Sequence, residues 1–474
     1  MSVTETLATR VAATGIADLT PAARRATHQL VLDGIAVAIA GARQPAIDIL
    51  AGHLHSVGSG GDVPLIGRAE RLGPVAAALV GGAAMHVLDF EPMWSPANHA
   101  LSTTLPAVLA LAAERGLDGA RVAAALVVGV ELQGWLRHAS RQWEPEHLRF
   151  HPPGVVGPLG AAAASAHLLG LDAERIRHAL GIAASSSGAL MANVGTMTKS
   201  LHCGHAAAAG LEAALLAERG FTADPDIFDS PRGFRLGFAP DLVADELTRF
   251  GAPFRLVDPG YALKLYPCQY GTHFGIDAAL QLRARLGDDL DGGSIRRAHL
   301  VTPVMAYVDR PRPSSGLDGK FSLQYTAAVA LLDGRVVLDT FTDSTLRRAD
   351  VAELLGRVEV EQRADIEGRF EAMRVELTVE LADGRVERQI CHGPPGIWGG
   401  PAVAEGDHHA KVRDCLVAAG RPPDESELVA LSGRLETLTP VEVGRLAGGG
   451  VAAGGSVRAE AWVRRAPVMK ERAP

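Results

Sequence analysis

The chain has 474 residues, of which 47% are hydrophobic and only 5% aromatic, with a formal net charge of −8 and four cysteines. That much apolar chain can build two or more cores, while the scattered Lys and Arg leave no basic footprint for nucleic acid or an anionic membrane. Cys203, Cys268, Cys391 and Cys415 form no Cys-x-x-Cys pair, which excludes a zinc knuckle or disulfide framework and fits a cytoplasmic setting; neither an export signal nor an apolar run near the roughly 20 residues of a membrane span is expected.

Residues 1–258 read as helical. Thr20-Pro21 supplies an N-cap and first helical position for a helix through Ala40, closed by Gly41. Helices are expected next at 105–115, stopped by Gly116, and at 121–138, 158–169, 173–183 and 203–219, the last closed by Gly220. They are apolar on most faces, as helices in a multilayer core are. From 259 to 394 the pattern changes to β-branched runs and tight turns. Strands are expected at 298–308, 357–361, 373–381 and 385–391, with Ala382-Asp383-Gly384 turning between the last two, and a helix at 321–332 ended by Asp333-Gly334. Residues 395–446 return to helix at 409–418, 425–432 and 440–446 and should dock back on the first part. The Gly-rich, then basic, stretch 447–474 is expected to fray. The fold class is mainly α: a large helical domain built from both chain ends, with a smaller α/β domain inserted.

Five segments concentrate reactive side chains. In the first, His86, Asp89, Glu91, Met93, Trp94 and His99 share a Pro-interrupted stretch that cannot be one helix; a capping Asp with surface histidines would read the same way. In the second, Phe150-His151-Pro152-Pro153-Gly154, His151 stands before a rigid turn and a helix start, a place equally suited to a capping residue. The third puts Lys199 in a Gly/Thr loop ahead of an Ala-rich helix; Thr198 before it rules out a P-loop. His202 and His205 lie three residues apart there without a third ligand, so no metal is expected. The fourth, from Lys264 through Gln269 to His273, falls at the junction of the helical and α/β parts, where clefts take small ligands. The fifth runs from Lys320 to Tyr325, a tyrosine that either packs or aims a phenol at the cleft.

In this order the segments resemble the MmgE/PrpD family. The matching stretches are His-x-Leu-Asp-Phe at 86–90, Trp-x-Pro-Ala-x-His at 94–99, Phe-His-Pro at 150–152, Lys-x-Leu-His at 199–202, Lys-x-Tyr-Pro-Cys at 264–268 and Lys-Phe-Ser-Leu-Gln-Tyr at 320–325. The resemblance implies an inserted lid, a homodimer, a small di- or tricarboxylic acid as substrate, and an active site at the domain boundary with no metal and no organic cofactor. It carries Asp89, His99, His151, Lys199, Lys264 and Tyr325 over as catalytic residues; Met93, Trp94, Met191, His202, Gln269 and His273 are expected around the substrate. Three positions depart from the family's decarboxylase pattern. Met93 replaces a Thr, Gln269 a His, and Ala100 a Pro or similar residue, so two polar groups are lost.

A proton beside a carboxylate is weakly acidic, so such a site needs a base and cations to hold the charge that builds as the proton leaves. His151 or His99 would transfer the proton, Lys199 and Lys264 would grip carboxylates, Asp89 would orient an imidazole and Tyr325 would donate from the lid. Dehydration or decarboxylation is the expected outcome. Epimerisation of a dicarboxylate is the alternative, and a non-catalytic binding protein on the same scaffold is the reading from another class.

Overall fold

The computed structural model describes residues 1–143, 148–287, 290, 293–400 and 402–450, so the tail beyond Gly450 lies outside the described residues. Ala- and Leu-rich runs bracketed by caps set the first half. They are α1 (Val3–Ala13), α2 (Pro21–Gly41), α3 (Pro45–Ser56), α4 (Pro74–His86), α5 (Ala100–Arg115), α6 (Gly119–Ala139), α7 (Pro152–Leu168), α8 (Ala173–Ala184), α9 (Thr198–Glu218) and the short α10 (Phe234–Phe238). Ser2, Thr20, Asp118 and Asp172 each accept a backbone N–H of the helix they open. Two-residue strands β1 (Val63–Pro64) and β2 (Arg71–Leu72) pair with each other, as do β3 (Met93–Trp94) and β4 (Tyr261–Ala262).

The second half begins with α11 (Tyr270–Leu286), followed by β5 (Ile295–Pro303), α12 (Gly316–Gly319), α13 (Leu323–Asp333), α14 (Asp343–Leu346), α15 (Ala349–Leu355), β6 (Val358–Arg363), β7 (Val375–Leu381) and β8 (Val386–Cys391). The sheet order is β6-β5-β7-β8, with β5 parallel to β6 and antiparallel to β7. Alternate residues of β7 are buried, as in a sheet with one covered face; α11 and α13 pack together, and α11 lies on β7 and β8. The chain ends in α16 (Glu405–Ala418), α17 (Ser426–Ser432) and α18 (Pro440–Ala447). Their Val412, Leu416, Leu431 and Leu446 enter the same apolar core as α2, α4 and α5, so both chain ends build one helical body, while the sheet, α11 and α13 enclose a separate core.

Several boundaries differ from the sequence reading, including the starts of α5 at Ala100 and α16 at Glu405, and three more. First, α7 starts at Pro152 rather than Pro158. Pro158 cannot donate to the Gly154 carbonyl, but the backbone N–H of Gly188 does so at 3.0 Å, so the helix runs through the proline. Second, α9 starts at Thr198, placing Lys199 in its first turn rather than in a loop. Third, β5 stops at Pro303, and Val308 lies in a 3-10 turn. The expectation of no membrane-length apolar run is also corrected: α6 is long and apolar enough by composition, and most of its residues are buried in the helical body.

Small residues let α4, α5 and α9 meet. A Cβ at Gly204 would stand 2.4 Å from the Leu79 carbonyl, and one at Gly82 2.8 Å from the Ser102 carbonyl. Only glycine permits that approach, which brings His86, His99 and Lys199 within reach of one another.

Candidate active site

The site is built on the C-terminal end of α4. Past His86 the chain turns through Asp89, whose N–H bonds back to the His86 carbonyl at 2.9 Å and whose φ is +54°. Gly or Asn usually fills this left-handed position, and an ordinary side chain there costs about 1 kcal/mol. The Asp89 carboxylate offsets that cost: Lys264 Nζ donates to Oδ1 at 2.6 Å and Lys199 Nζ to Oδ2 at 2.9 Å.

The carbonyls after α4 are also held by lysines. Lys320 donates to Leu88 O at 2.7 Å, Lys264 to Asp89 O at 2.9 Å and Lys411 to Phe90 O at 2.8 Å. Three consecutive peptides therefore meet three buried ammonium groups from distant parts of the chain, at the end of a helix whose dipole favours cations.

Opposite this loop, three helices present their N-termini. His99 is the N-cap of α5 and His151 the N-cap of α7, yet neither imidazole caps its helix. Both rings turn to His86 instead, with centroids 4.6 Å from His99 and 5.4 Å from His151. Lys199 occupies the first turn of α9, where a cation opposes the helix dipole unless an anion lies beside it. His202, one turn on, places Nδ1 3.3 Å from His151 Nδ1. Glu91 closes the group from below. It is fully buried, it is hydrogen-bonded to His86 Nδ1, and its Oε1 lies 3.3 Å from His99 Nδ1. His99 Nε2 then stands 3.8 Å from Asp89 Oδ1.

Burial works against every charge here, and the neighbours decide which survive. Desolvation alone would push the Asp89 carboxyl up, but the ammoniums of Lys199 and Lys264 outweigh it and hold Asp89 well below the carboxylate range. Glu91 is likewise held well below, with His86 and His99 outweighing its burial. Burial pulls His86 down to about 4, against the pull of Glu91, and takes His151 well below its usual value. Lys320 is lowered by burial to about 8. The cluster thus sets three lysines, Lys199, Lys264 and Lys320, against the two carboxylates, and burial disfavours charge on His86 and His151, an arrangement suited to an anion.

Nitrogens of His86, His99 and His151 lie close enough to surround a metal ion, as do ligand atoms of Asp89, Glu91 and His99. The charges do not suit one. Both Asp89 oxygens and Glu91 Oε1 are already engaged, and Lys199 and Lys264 would repel a cation at the centre.

Of the residues read from sequence, Asp89, His99, His151, Lys199, Lys264 and His202 converge. Lys264 does so in another capacity than gripping substrate, since its three donors are spent on Asp89 Oδ1, Asp89 O and, at 3.2 Å, Cys268 O. Tyr325 does not join them: it is buried among the α13 and sheet residues and donates to the Thr340 carbonyl at 2.5 Å. Met93 packs in that same core, and Trp94 packs in the helical core with its ring 5.5 Å from that of Tyr261. Gln269 folds back to cap α11, accepting the Gly271 N–H at 2.5 Å, and a side chain at Gly271 would also meet the Tyr307 hydroxyl. His273 is buried with Tyr266 and Tyr270 around its ring, and Met191 sits half-buried in the 3-10 turn Met191–Asn193. The sequence reading assigns no role to His86, Glu91 and Lys320, although His86 and Glu91 flank Asp89 and Lys320 opens the Lys-Phe-Ser-Leu-Gln-Tyr motif. A separate cleft of about 200 Å³, lined by Ser95, His138, Trp143, Arg255, Glu371 and Trp398 among others, shares no residue with this cluster.

Comparison with known proteins adds relatives to this geometry. Residues 5–242 match the MmgE/PrpD N-terminal domain and residues 266–434 the MmgE/PrpD C-terminal domain. A cis-aconitate decarboxylase of Homo sapiens is 35% identical over 413 residues, covering 85% of this chain and 86% of its own length. The cis-aconitate decarboxylase of Mus musculus is 34% identical, covering 85% of each chain, and one of Aspergillus terreus is 29% identical, covering 78% of this chain and 80% of its own.

Proposed function

This chain belongs to the MmgE/PrpD family, and from that premise we propose that it is a lyase acting on a small polycarboxylate by proton transfer beside a carboxylate. Decarboxylation of cis-aconitate, or of a tricarboxylate closely like it, is the reaction we assign. The proposal includes a cytoplasmic homodimer that works without metal or organic cofactor.

The observation that carries the reading is the convergence of imidazoles and ammonium groups on Asp89 and Glu91 beneath three helix N-termini. Helix N-termini and cations together receive carboxylates. Lys199 is the lysine free to change partners, its side chain being 12% exposed against 1% for Lys264. It would leave Asp89 Oδ2 for a substrate carboxylate while Lys264 keeps Asp89 in place. As the bond to the departing carboxylate breaks, its electron pair stays in the carbon frame and an allylic carbon takes up one proton, so each CO₂ released consumes one proton. His99 and His151, facing the same space with ring centroids 6.2 Å apart, form the pair that delivers it, the carboxylates of the bound substrate offsetting the burial that disfavours protonated His151. Positioned proton transfer of this kind contributes about 10²- to 10⁴-fold.

The test is a panel of acids followed by proton NMR with trapping of CO₂. Release of CO₂ from cis-aconitate, matched by one decarboxylated product, is the expected result. Water loss from a hydroxy acid would make the enzyme a dehydratase, inversion without mass change an epimerase, and saturable binding without turnover a binding protein; each would overturn the assignment.

A further inference from the structure

Outside the site lies a second buried ionic group, formed by Asp33 on α2 with His408 and Lys411 on α16. Lys411 Nζ is 2.7 Å from Asp33 Oδ1, and His408 Nε2 is 3.1 Å from the same oxygen. Asp33 is wholly buried and the Lys411 side chain 2% exposed. An ion pair this deep is a poor way to stabilise a core, because desolvating both charges cancels most of their attraction and apolar residues of similar size commonly do as well. The distinctive contact is the one Lys411 makes with the catalytic loop. Its ammonium donates to Phe90 O at 2.8 Å and stands 4.1 Å from the centre of the Phe90 ring.

Phe90 is the residue between Asp89 and Glu91. Its peptide is the third of the three carbonyls held by lysines, and the one held from outside the site. Rotation of that peptide would swing both flanking carboxylates, Asp89 away from Lys264 and His99, and Glu91 away from His86 and His99. We propose that Lys411, anchored by Asp33, is a positioning residue for the Asp89 and Glu91 carboxylates, and that docking of the C-terminal helix α16 on α2 thereby sets the geometry of the proton-transferring imidazoles. The inference rests on the proposed function only for its kinetic readout. A misplacement of about 1 Å suffices to cost about 10²-fold in rate.

Removing Lys411 alone would strand Asp33, so the informative variant is the pair Asp33→Asn with Lys411→Met, which leaves neither charge. Val412→Ala on the same helix is the control, since Val412 is fully buried in the helical core and its side chain has no polar group to hold the Phe90 carbonyl. The paired variant should fold, shift the imidazole ¹⁵N–¹H resonances of His86 and His99, and lower kcat 10- to 100-fold with KM changed less than threefold. Val412→Ala should lower Tm while leaving those resonances in place and kcat within twofold. If the paired variant keeps wild-type imidazole resonances and kcat, or if both variants lose activity only in proportion to their unfolded fraction, Lys411 is structural filling and the proposal is overturned. Because the resonances need no substrate, they decide this even should the protein prove inactive on every acid tried.

Discussion

Lys264 binds Asp89 twice, through the side chain at 2.6 Å and through the backbone carbonyl at 2.9 Å. One ammonium thus fixes both the carboxylate and the left-handed backbone that carries it. The relationship explains why an acid, rather than a glycine, can occupy a helix-terminal position at φ +54°.

Replacing Lys264 by Met removes both bonds and leaves a buried acid with Lys199 as its remaining cation. Breaking one side of a buried pair costs about 3–5 kcal/mol. Lys264→Met should therefore lose stability on that scale in urea unfolding, and activity at least 10³-fold. Lys199→Met should spare stability far more and raise KM strongly, since the more exposed lysine is the one assigned to substrate.

Glu91→Gln keeps the shape and removes the charge. The groups facing Glu91 are His86 at the end of α4, His99 at the start of α5 and Asp89, with Cys203 further off. With the carboxylate gone, protonated imidazoles lose their counter-charge. The alkaline limb of the pH–rate profile, where the donating imidazole loses its proton, should move to lower pH, and kcat should fall about 10- to 100-fold, in line with the loss of one member of a general acid–base set. An unchanged profile with diminished kcat would place Glu91 among the packing residues.

Stability should fall with acid in two stages. His86 and His151 are depressed in the fold, His86 to about 4, so their contribution is whole above the unfolded value near 6.5 and drains as pH falls toward 4. Each costs up to about 1.4 kcal/mol per pH unit over that window. Asp89 and Glu91, held well below their usual values, contribute fully above about pH 4, and their share is lost only below it. Tm measured from pH 8 to pH 3 should show both limbs, and His86→Gln should flatten the first by its own share, leaving that of His151, and shrink the second, since His86 helps hold Glu91 down.

Tyr325→Phe separates packing from chemistry. The hydroxyl's partner is the Thr340 carbonyl, so the variant should lose about 1–2 kcal/mol of stability for the stranded acceptor and keep kcat/KM within threefold. A thousandfold fall in kcat at unchanged Tm would restore the phenol to the proton-transfer set.

Much of the helical frame was legible because caps are local: Thr20 and Gly116 act on their own turns. The start of α7 was not, since the bond that carries it past Pro158 comes from Gly188, thirty residues away. His99, His151, Lys199 and Asp89 could be picked out as polar residues in Pro- and Gly-rich breaks between apolar helices. Tyr325 carried the same apparent signal and belongs to a core, because sequence does not say which way a helix faces. Lys411 carried none: it sits in an ordinary-looking helix near the C-terminus, and only the packing of α16 on α2 brings it to Phe90.

The most direct test is turnover of cis-aconitate in deuterated water, with mass spectrometry of the product. Proton delivery to carbon by the His99 and His151 pair requires one solvent-derived deuterium per CO₂ released in the native enzyme, and at least a hundredfold loss of both in His151→Gln. Product formed without deuterium at carbon, or deuterium and CO₂ appearing at native rates in His151→Gln, would contradict the assignment.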